Sequence, residues 1–111
     1  FSIFPGSENK LLRGLELGCD GIITATCNIT ATLTRKVYDD FIENKNQSAN
    51  EKLCKVRTIF DKYNLISAIH TLMTEIDKSY GNILPPLSLL NKQNHQKLIE
   101  DLKKIDFNYK N

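Results

Sequence analysis

Apolar positions along the chain fall into two kinds of pattern, short continuous runs near the N-terminus and helical stripes beyond it. Phe1-Ser2-Ile3-Phe4 is a short apolar run, Pro5-Gly6-Ser7 is a breaker cluster, and Leu11, Leu12 and Leu15 recur at helical spacing. The first 29 residues therefore read as strand, turn, helix, turn, strand. The helix takes Ser7 or Asn9 as its N-cap and ends at Gly18, where glycine can adopt the left-handed conformation. Asp20-Gly21 then turns the chain into Ile22-Ile23-Thr24-Ala25-Thr26-Cys27. Two near-continuously apolar or β-branched strands joined by a crossover helix make a βαβ unit of the kind buried on both faces of a parallel sheet.

Beyond this unit the pattern is helical. Val37, Phe41 and Ile42 mark a helix starting near Thr32 and running into the polar stretch 43–47. Leu53, Val56, Ile59, Phe60 and Tyr63 form the stripe of a third helix, capped by Ser48 and closed by Asn64. Leu65, Ile66, Ile69, Leu72, Met73 and Ile76 form a fourth, expected to end at Gly81. Ile83-Leu84-Pro85-Pro86-Leu87 cannot be helical, because the paired prolines remove two donors and restrict the preceding residue; an extended, packed connection is expected. Leu98, Ile99, Leu102 and Ile105 line a last helix starting near Asn91, and the tail from Asp106 is expected to fray.

Two parallel strands alone leave both sheet edges unpaired, so the strand reading calls for more strands than these residues contain. The opening run Phe1-Ser2-Ile3-Phe4, with no initiator Met and no preceding turn, reads as a cut rather than a beginning.

Composition narrows the classes. At 111 residues with 41% hydrophobic and 25% charged side chains, the chain has ordinary globular composition and length for one domain. Its 15 Lys+Arg are interleaved with 13 Asp+Glu, so no basic stripe points to nucleic acid. No apolar run reaches the roughly 18 residues of a membrane span, and no signal-peptide pattern opens the chain; a soluble, cytoplasmic protein is expected. Cys19, Cys27 and Cys54 match neither a metal knuckle nor a disulfide framework, and His70 and His95 lack a ligand partner at metal-binding spacing, so no metal and no cofactor are expected.

The order of motifs resembles the C-terminal part of the dihydrodipicolinate synthase and N-acetylneuraminate lyase family, Schiff-base pyruvate aldolases built on a (β/α)8 barrel. The resemblance rests on Phe4-Pro5-Gly6-Ser7-Glu8, on Leu11-Leu12-x-Gly14-Leu15-x-x-Gly18, on Gly21-Ile22-Ile23-Thr24-Ala25-Thr26-Cys27-Asn28-Ile29, its most specific segment, and on Pro85-Pro86-Leu87-x-Leu89-Leu90. It implies an α/β fold class: the last two βα units of a TIM (β/α)8 barrel, residues 1–47, followed by a C-terminal helical extension, residues 48–111. Residues 1–4 and 21–27 resemble the seventh and eighth barrel strands. A whole barrel takes about 250 residues, so this chain would hold under half of one.

What the resemblance implies about function is a class I, metal-independent enzyme that condenses or cleaves pyruvate with an aldehyde, commonly as a homotetramer. The family's Schiff-base lysine, proton-relay tyrosine and carboxylate-binding groups fall upstream of the matched part, so no catalytic residue is expected in this chain and the isolated chain should be inactive. Because barrel active sites lie at the C-terminal ends of strands, Pro5-Gly6-Ser7-Glu8 and Ala25-Thr26-Cys27-Asn28 fall at the functional rim. The substrate-binding candidates are Gly6, for close backbone approach, Ser7, for its hydroxyl at a helix start, Glu8, as an acceptor for substrate hydroxyls, and Ile23, whose main-chain carbonyl the family pattern directs at the lysine. Each also has a structural reading: Gly6 makes the turn, Ser7 caps the helix, Glu8 complements its dipole and Ile23 fills barrel core. One of the Thr24 and Thr26 hydroxyls could reach the pocket. Lys10, Lys36, Lys45, Lys52 and Lys55 sit among polar neighbours and read as solvated, not as desolvated nucleophiles. The competing function is a small helical protein-interaction module without enzymatic activity, for which two apolar strands would have no use.

Overall fold

The computed structural model describes residues 1–110. Its regular elements are helices: α1 (Leu11–Glu16), α2 (Cys27–Ile42), α3 (Asn50–Phe60), α4 (Leu65–Met73) and α5 (Lys92–Lys104), with 3-10 turns at Glu8–Lys10 and Lys78–Gly81. The chain gathers into two compact units, Phe1–Arg57 and the residues from Thr58 onward. The break falls inside α3, ten residues beyond the barrel-to-extension division at residue 47.

In the first unit α1 packs on α2. Leu11 and Leu15 of α1, Val37 of α2, Ala49 and Leu53 bury a common core, with Leu12, Ile22, Leu33, Tyr38 and Phe41 packed around it. Ser7 caps the opening turn as its pattern predicts, its hydroxyl accepting from the Asn9 amide at 3.3 Å. Gly18 closes α1 at φ 93°, where a side chain would be strained.

The predicted strands are not formed among the described residues. Residues 1–5 and 19–24 carry no regular secondary structure. They do run side by side and parallel: the Asp20 amide donates to the Ile3 carbonyl at 3.1 Å and the Ile23 amide to the Pro5 carbonyl at 3.2 Å. Between those bonds one segment advances by two residues and the other by three. A parallel ladder requires equal steps of two on both sides, so the pairing slips by one residue and no strand propagates. The Ile3 amide turns instead to the Asp20 carboxylate at 3.3 Å.

The second predicted strand also ends early. Residues 25 and 26 turn, and α2 starts at Cys27, well before the predicted Thr32. Within the helix the threonine hydroxyls of this β-branched run are satisfied by bonding back along it. Thr30 donates to the Thr26 carbonyl at 3.0 Å and Thr34 to the Thr30 hydroxyl at 3.3 Å. Ser48, the predicted cap of α3, donates its hydroxyl to Asp40 at 3.2 Å. Asp40 is buried and also receives the Lys36 amine at 2.7 Å, and that Lys36 bond, above all, holds its carboxyl below the usual range.

In the second unit α4 packs on α5 and on the turn Lys78–Gly81. Leu72, Ala68 and Ile69 of α4 and Leu98 and Leu102 of α5 are buried. Asn64, expected to close α3, caps α4: its side-chain oxygen accepts from the Ser67 amide at 3.0 Å. The last helix starts next to Asn91, as expected, and Asn91 caps it, accepting from the Asn94 amide at 2.8 Å. The fourth helix stops at Met73 rather than Gly81, because Asp77 caps a separate 3-10 turn through the Ser79 amide. The Pro85-Pro86 segment is a turn joined by a cis peptide, and Leu84 at its entry is 83% exposed, so the connection is not the packed one expected. Phe107, placed in the fraying tail by its position, is buried, and its amide bonds the Leu102 carbonyl at 3.1 Å.

Candidate functional site

Of the four candidate residues, Gly6, Ser7 and Glu8 follow the first of the side-by-side segments into the 3-10 turn, and Ile23 lies on the second. Gly6 and Ile23 face each other across the Ile23–Pro5 hydrogen bond; a Cβ on Gly6 would stand 3.8 Å from the Ile23 carbonyl oxygen. The bare glycine backbone thus leaves that carbonyl open on one side, while the Ile23 side chain is 72% exposed in this chain. Ser7 is half-buried at the head of the 3-10 turn, with its hydroxyl on the Asn9 amide.

Glu8 is brought inward. It is fully buried, and its Oε2 accepts a hydrogen bond from the Thr26 hydroxyl, which is buried as well. Its Oε1 lies 3.6 Å from Nη1 of Arg57 and has no hydrogen-bond partner. Arg57 Nη1 donates to the Thr24 hydroxyl at 2.8 Å and to the Thr26 hydroxyl at 3.3 Å, and those hydroxyls are 3.1 Å apart. One carboxylate, two hydroxyls and one guanidinium therefore form a closed polar knot drawn from the turn after residue 5, the turn before α2, and α3. A buried carboxylate without a cation would be costly, and Arg57, only 12% exposed at its side chain, supplies the cation. Cys54, one helical turn before, has its thiol pushed up by burial and then by the Glu8 charge, so it stays protonated near neutral pH.

Both threonines considered for the pocket point into this knot, and Asn28 turns its amide back on the Ala25 carbonyl at 2.7 Å. Arg57 was missed by pattern reading, although a signal for it exists. With Leu53, Val56 and Phe60 it completes an i, i+3, i+4, i+7 stripe, so a charged residue sits on the buried face of its helix. Of the lysines, Lys45 is exposed and its amine is raised by the hydrogen bond to Glu43, the opposite of the depression an imine-forming lysine needs. An apolar groove of about 370 Å³ lies elsewhere on the unit, lined by Phe4, Leu11, Ile22, Cys27 and Tyr38 among others, and none of the four candidates lines it. Among the described residues no group of three or more His, Cys, Asp or Glu could hold a metal ion, and no helix is long and apolar enough to cross a membrane.

In the first unit two segments thus run parallel, with a glycine turn at the end of one and the Ile23 carbonyl on the other, beside a buried carboxylate. The sequence profile of the Dihydrodipicolinate synthetase family matches residues 1–105, and the chain belongs to that family. No curated protein and no solved structure matches it. Membership carries with it a general kind of function, that of pyruvate-dependent aldolases and lyases, and the TIM barrel is the fold that the family implies; the regular elements among the described residues are helices.

Proposed function

We propose that the chain is the C-terminal part of a class I, Schiff-base, metal-independent pyruvate aldolase or lyase, comprising the last two βα units of a (β/α)8 barrel and the helical extension after it. The observation that carries this reading is the parallel pairing of residues 3–5 with 20–23, which sets Gly6 against the Ile23 carbonyl within a chain whose family match runs over residues 1–105. Added strands on either side would pair the outer edges of these two segments.

In such an enzyme a lysine amine condenses with the pyruvate ketone and releases water. The protonated imine then takes up the electron pair left when the pyruvate methyl loses a proton, and the resulting enamine adds to an aldehyde carbonyl; cleavage runs in reverse. The nucleophile comes from outside residues 1–111. Within this chain the Ile23 carbonyl faces the lysine nitrogen and accepts its proton in a hydrogen bond, and the Gly6-Ser7 turn admits the substrate close to the backbone. Glu8 serves the site through Thr26 and Arg57, not as a direct acceptor for substrate hydroxyls. The partners are pyruvate, an aldehyde, and further copies of the same protein, in a cytoplasmic homo-oligomer.

The test is to express the whole reading frame that encodes this chain, incubate the product with pyruvate and borohydride, and map the modified residue by mass spectrometry. A reduced pyruvate adduct on one lysine outside residues 1–111 is expected, and none on the isolated chain. No adduct, or an adduct on Lys10, Lys36 or another lysine of this chain, overturns the reading. The former result would favour the second reading, a helical interaction module, which has in its support that every regular element among the described residues is helical.

A further inference from the structure

Arg57 stands outside everything the family resemblance assigns, on a helix of the segment that follows the expected barrel. Its position is nevertheless central to the candidate rim. From α3 its guanidinium reaches Thr24 at 2.8 Å, Thr26 at 3.3 Å and Glu8 at 3.6 Å, spanning separations of 33 and 31 residues to the two threonines. Glu8 in turn holds Thr26 across 18 residues. Glu8 lies two residues from Gly6, and Thr24 directly follows Ile23. Among the described residues, the main-chain bond that fixes the spacing of Gly6 against the Ile23 carbonyl is the Ile23–Pro5 bond at 3.2 Å, at the point where the ladder has already slipped. One lateral hydrogen bond in an irregular pairing is weak support for a carbonyl that has to be placed to a fraction of an ångström.

We infer that Arg57 is a positioning residue: its bonds to Glu8, Thr24 and Thr26 form a clasp that sets the distance between the Gly6-Ser7 turn and the Ile23 carbonyl, so that the extension after the barrel controls the geometry of the pyruvate pocket. The clasp itself stands on the two hydrogen bonds to the threonines and the ion pair to Glu8; its consequence for pyruvate rests on the proposed function. A guanidinium suits the task because its planar fork holds several acceptors in fixed directions, which an ammonium cannot. The buried Oε1 of Glu8, lacking a hydrogen bond, is held by charge alone, so the pair loses its compensation as soon as the cation goes.

The experiment compares hydrogen exchange of single amides, read by mass spectrometry with non-scrambling fragmentation, in the unsubstituted chain, Arg57→Met, Arg57→Lys and Thr24→Val. Thr24→Val removes the 2.8 Å bond from Arg57 together with the 3.1 Å contact to the Thr26 hydroxyl, leaves the Arg57–Glu8 pair in place, and guards against an Arg57→Met chain that does not fold. Expected is a roughly tenfold faster exchange of the Ile23 amide in Arg57→Met, a smaller rise in Thr24→Val and partial recovery in Arg57→Lys, with the Leu17 and Gly18 amides at the end of α1 unchanged, as local opening requires. An unchanged Ile23 amide in both Arg57→Lys and Thr24→Val, or a rise matched at Leu17 and Gly18, overturns the clasp. In the complete enzyme, Arg57→Lys should raise the pyruvate concentration for half-maximal borohydride trapping by about tenfold while the trapped lysine stays the same. An unchanged half-saturation overturns the pocket-setting role. If the unsubstituted complete enzyme traps nothing, the aldolase reading falls together with the pyruvate half of this inference, and the exchange measurements still decide the clasp.

Discussion

Leu53→Ala tests whether α3 is pinned to the first unit by apolar burial. Leu53 is fully buried and shares its core with Leu11, Leu15, Val37 and Ala49. The substitution removes three carbons, worth about 2.4 kcal/mol at about 0.8 kcal/mol per methylene. Its neighbours lie on three separate elements and cannot all move in, so a void remains that adds about 1 kcal/mol. The expected loss is therefore about 3 to 4 kcal/mol, a large part of the roughly 5 to 15 kcal/mol typical of a whole domain. Urea unfolding followed by far-ultraviolet circular dichroism is the assay. With a slope near 1.5 kcal/mol per molar, the midpoint should fall by about 2 M. Leu17→Ala is the control, since Leu17 is 67% exposed, and it should change stability by no more than about 0.5 kcal/mol. A Leu53→Ala loss under about 1 kcal/mol, or one equal to the control, would refute the burial reasoning.

Three further outcomes are expected. Gly18→Ala meets no atom within 4 Å, so its whole effect is the backbone strain of φ 93°, about 1 to 2 kcal/mol in the same urea assay. Asn64→Ala removes the α4 cap and should cost about 1 kcal/mol, with faster exchange of the Ser67 amide as the local marker. Asp40 is held below its usual range chiefly by the Lys36 hydrogen bond, so its folded value lies under the unfolded one; its contribution is fully present above the unfolded carboxylate range and disappears as pH falls through the folded value. The urea midpoint of the unsubstituted chain should accordingly drop on acidification below about pH 4. Asp40→Asn should flatten that acid limb, and an identical acid limb in both proteins would discard the assignment.

Much of the helical organisation is legible in the residues alone. The stripes Leu53-Val56-Phe60 and Leu98-Leu102 are buried as their spacing predicts, and Ser7, Gly18 and Asn91 start or stop elements where their side chains or backbones allow it. Apolar periodicity reports burial directly, and a capping side chain acts within three residues of itself, so both signals are local. The stretch 24–34 was not legible in the same way. Threonine's branching suits a strand while its hydroxyl can be satisfied within a helix, so the residue type alone left the stretch open, and in the fold Thr26, bonded to Glu8 and Arg57, stands at the start of the helix. Likewise, the end of α4 followed Asp77, whose local cap outcompeted an apolar stripe that Ile76 would have continued.

The candidate site divides along the same line. Local sequence determined that Gly6 and Ser7 make a turn into a helix, that Ile22 and Ile23 open an apolar run after the Asp20-Gly21 turn, and that the chain belongs to a family of pyruvate aldolases and lyases. Only the tertiary structure decided which way Glu8 faces. An acidic residue in the first turn of a helix is equally at ease in solvent, where it complements the helix dipole, and in the interior, provided that a cation meets it there. That cation arrives from a helix far along the chain, so the inward orientation depends on packing that no short-range pattern encodes.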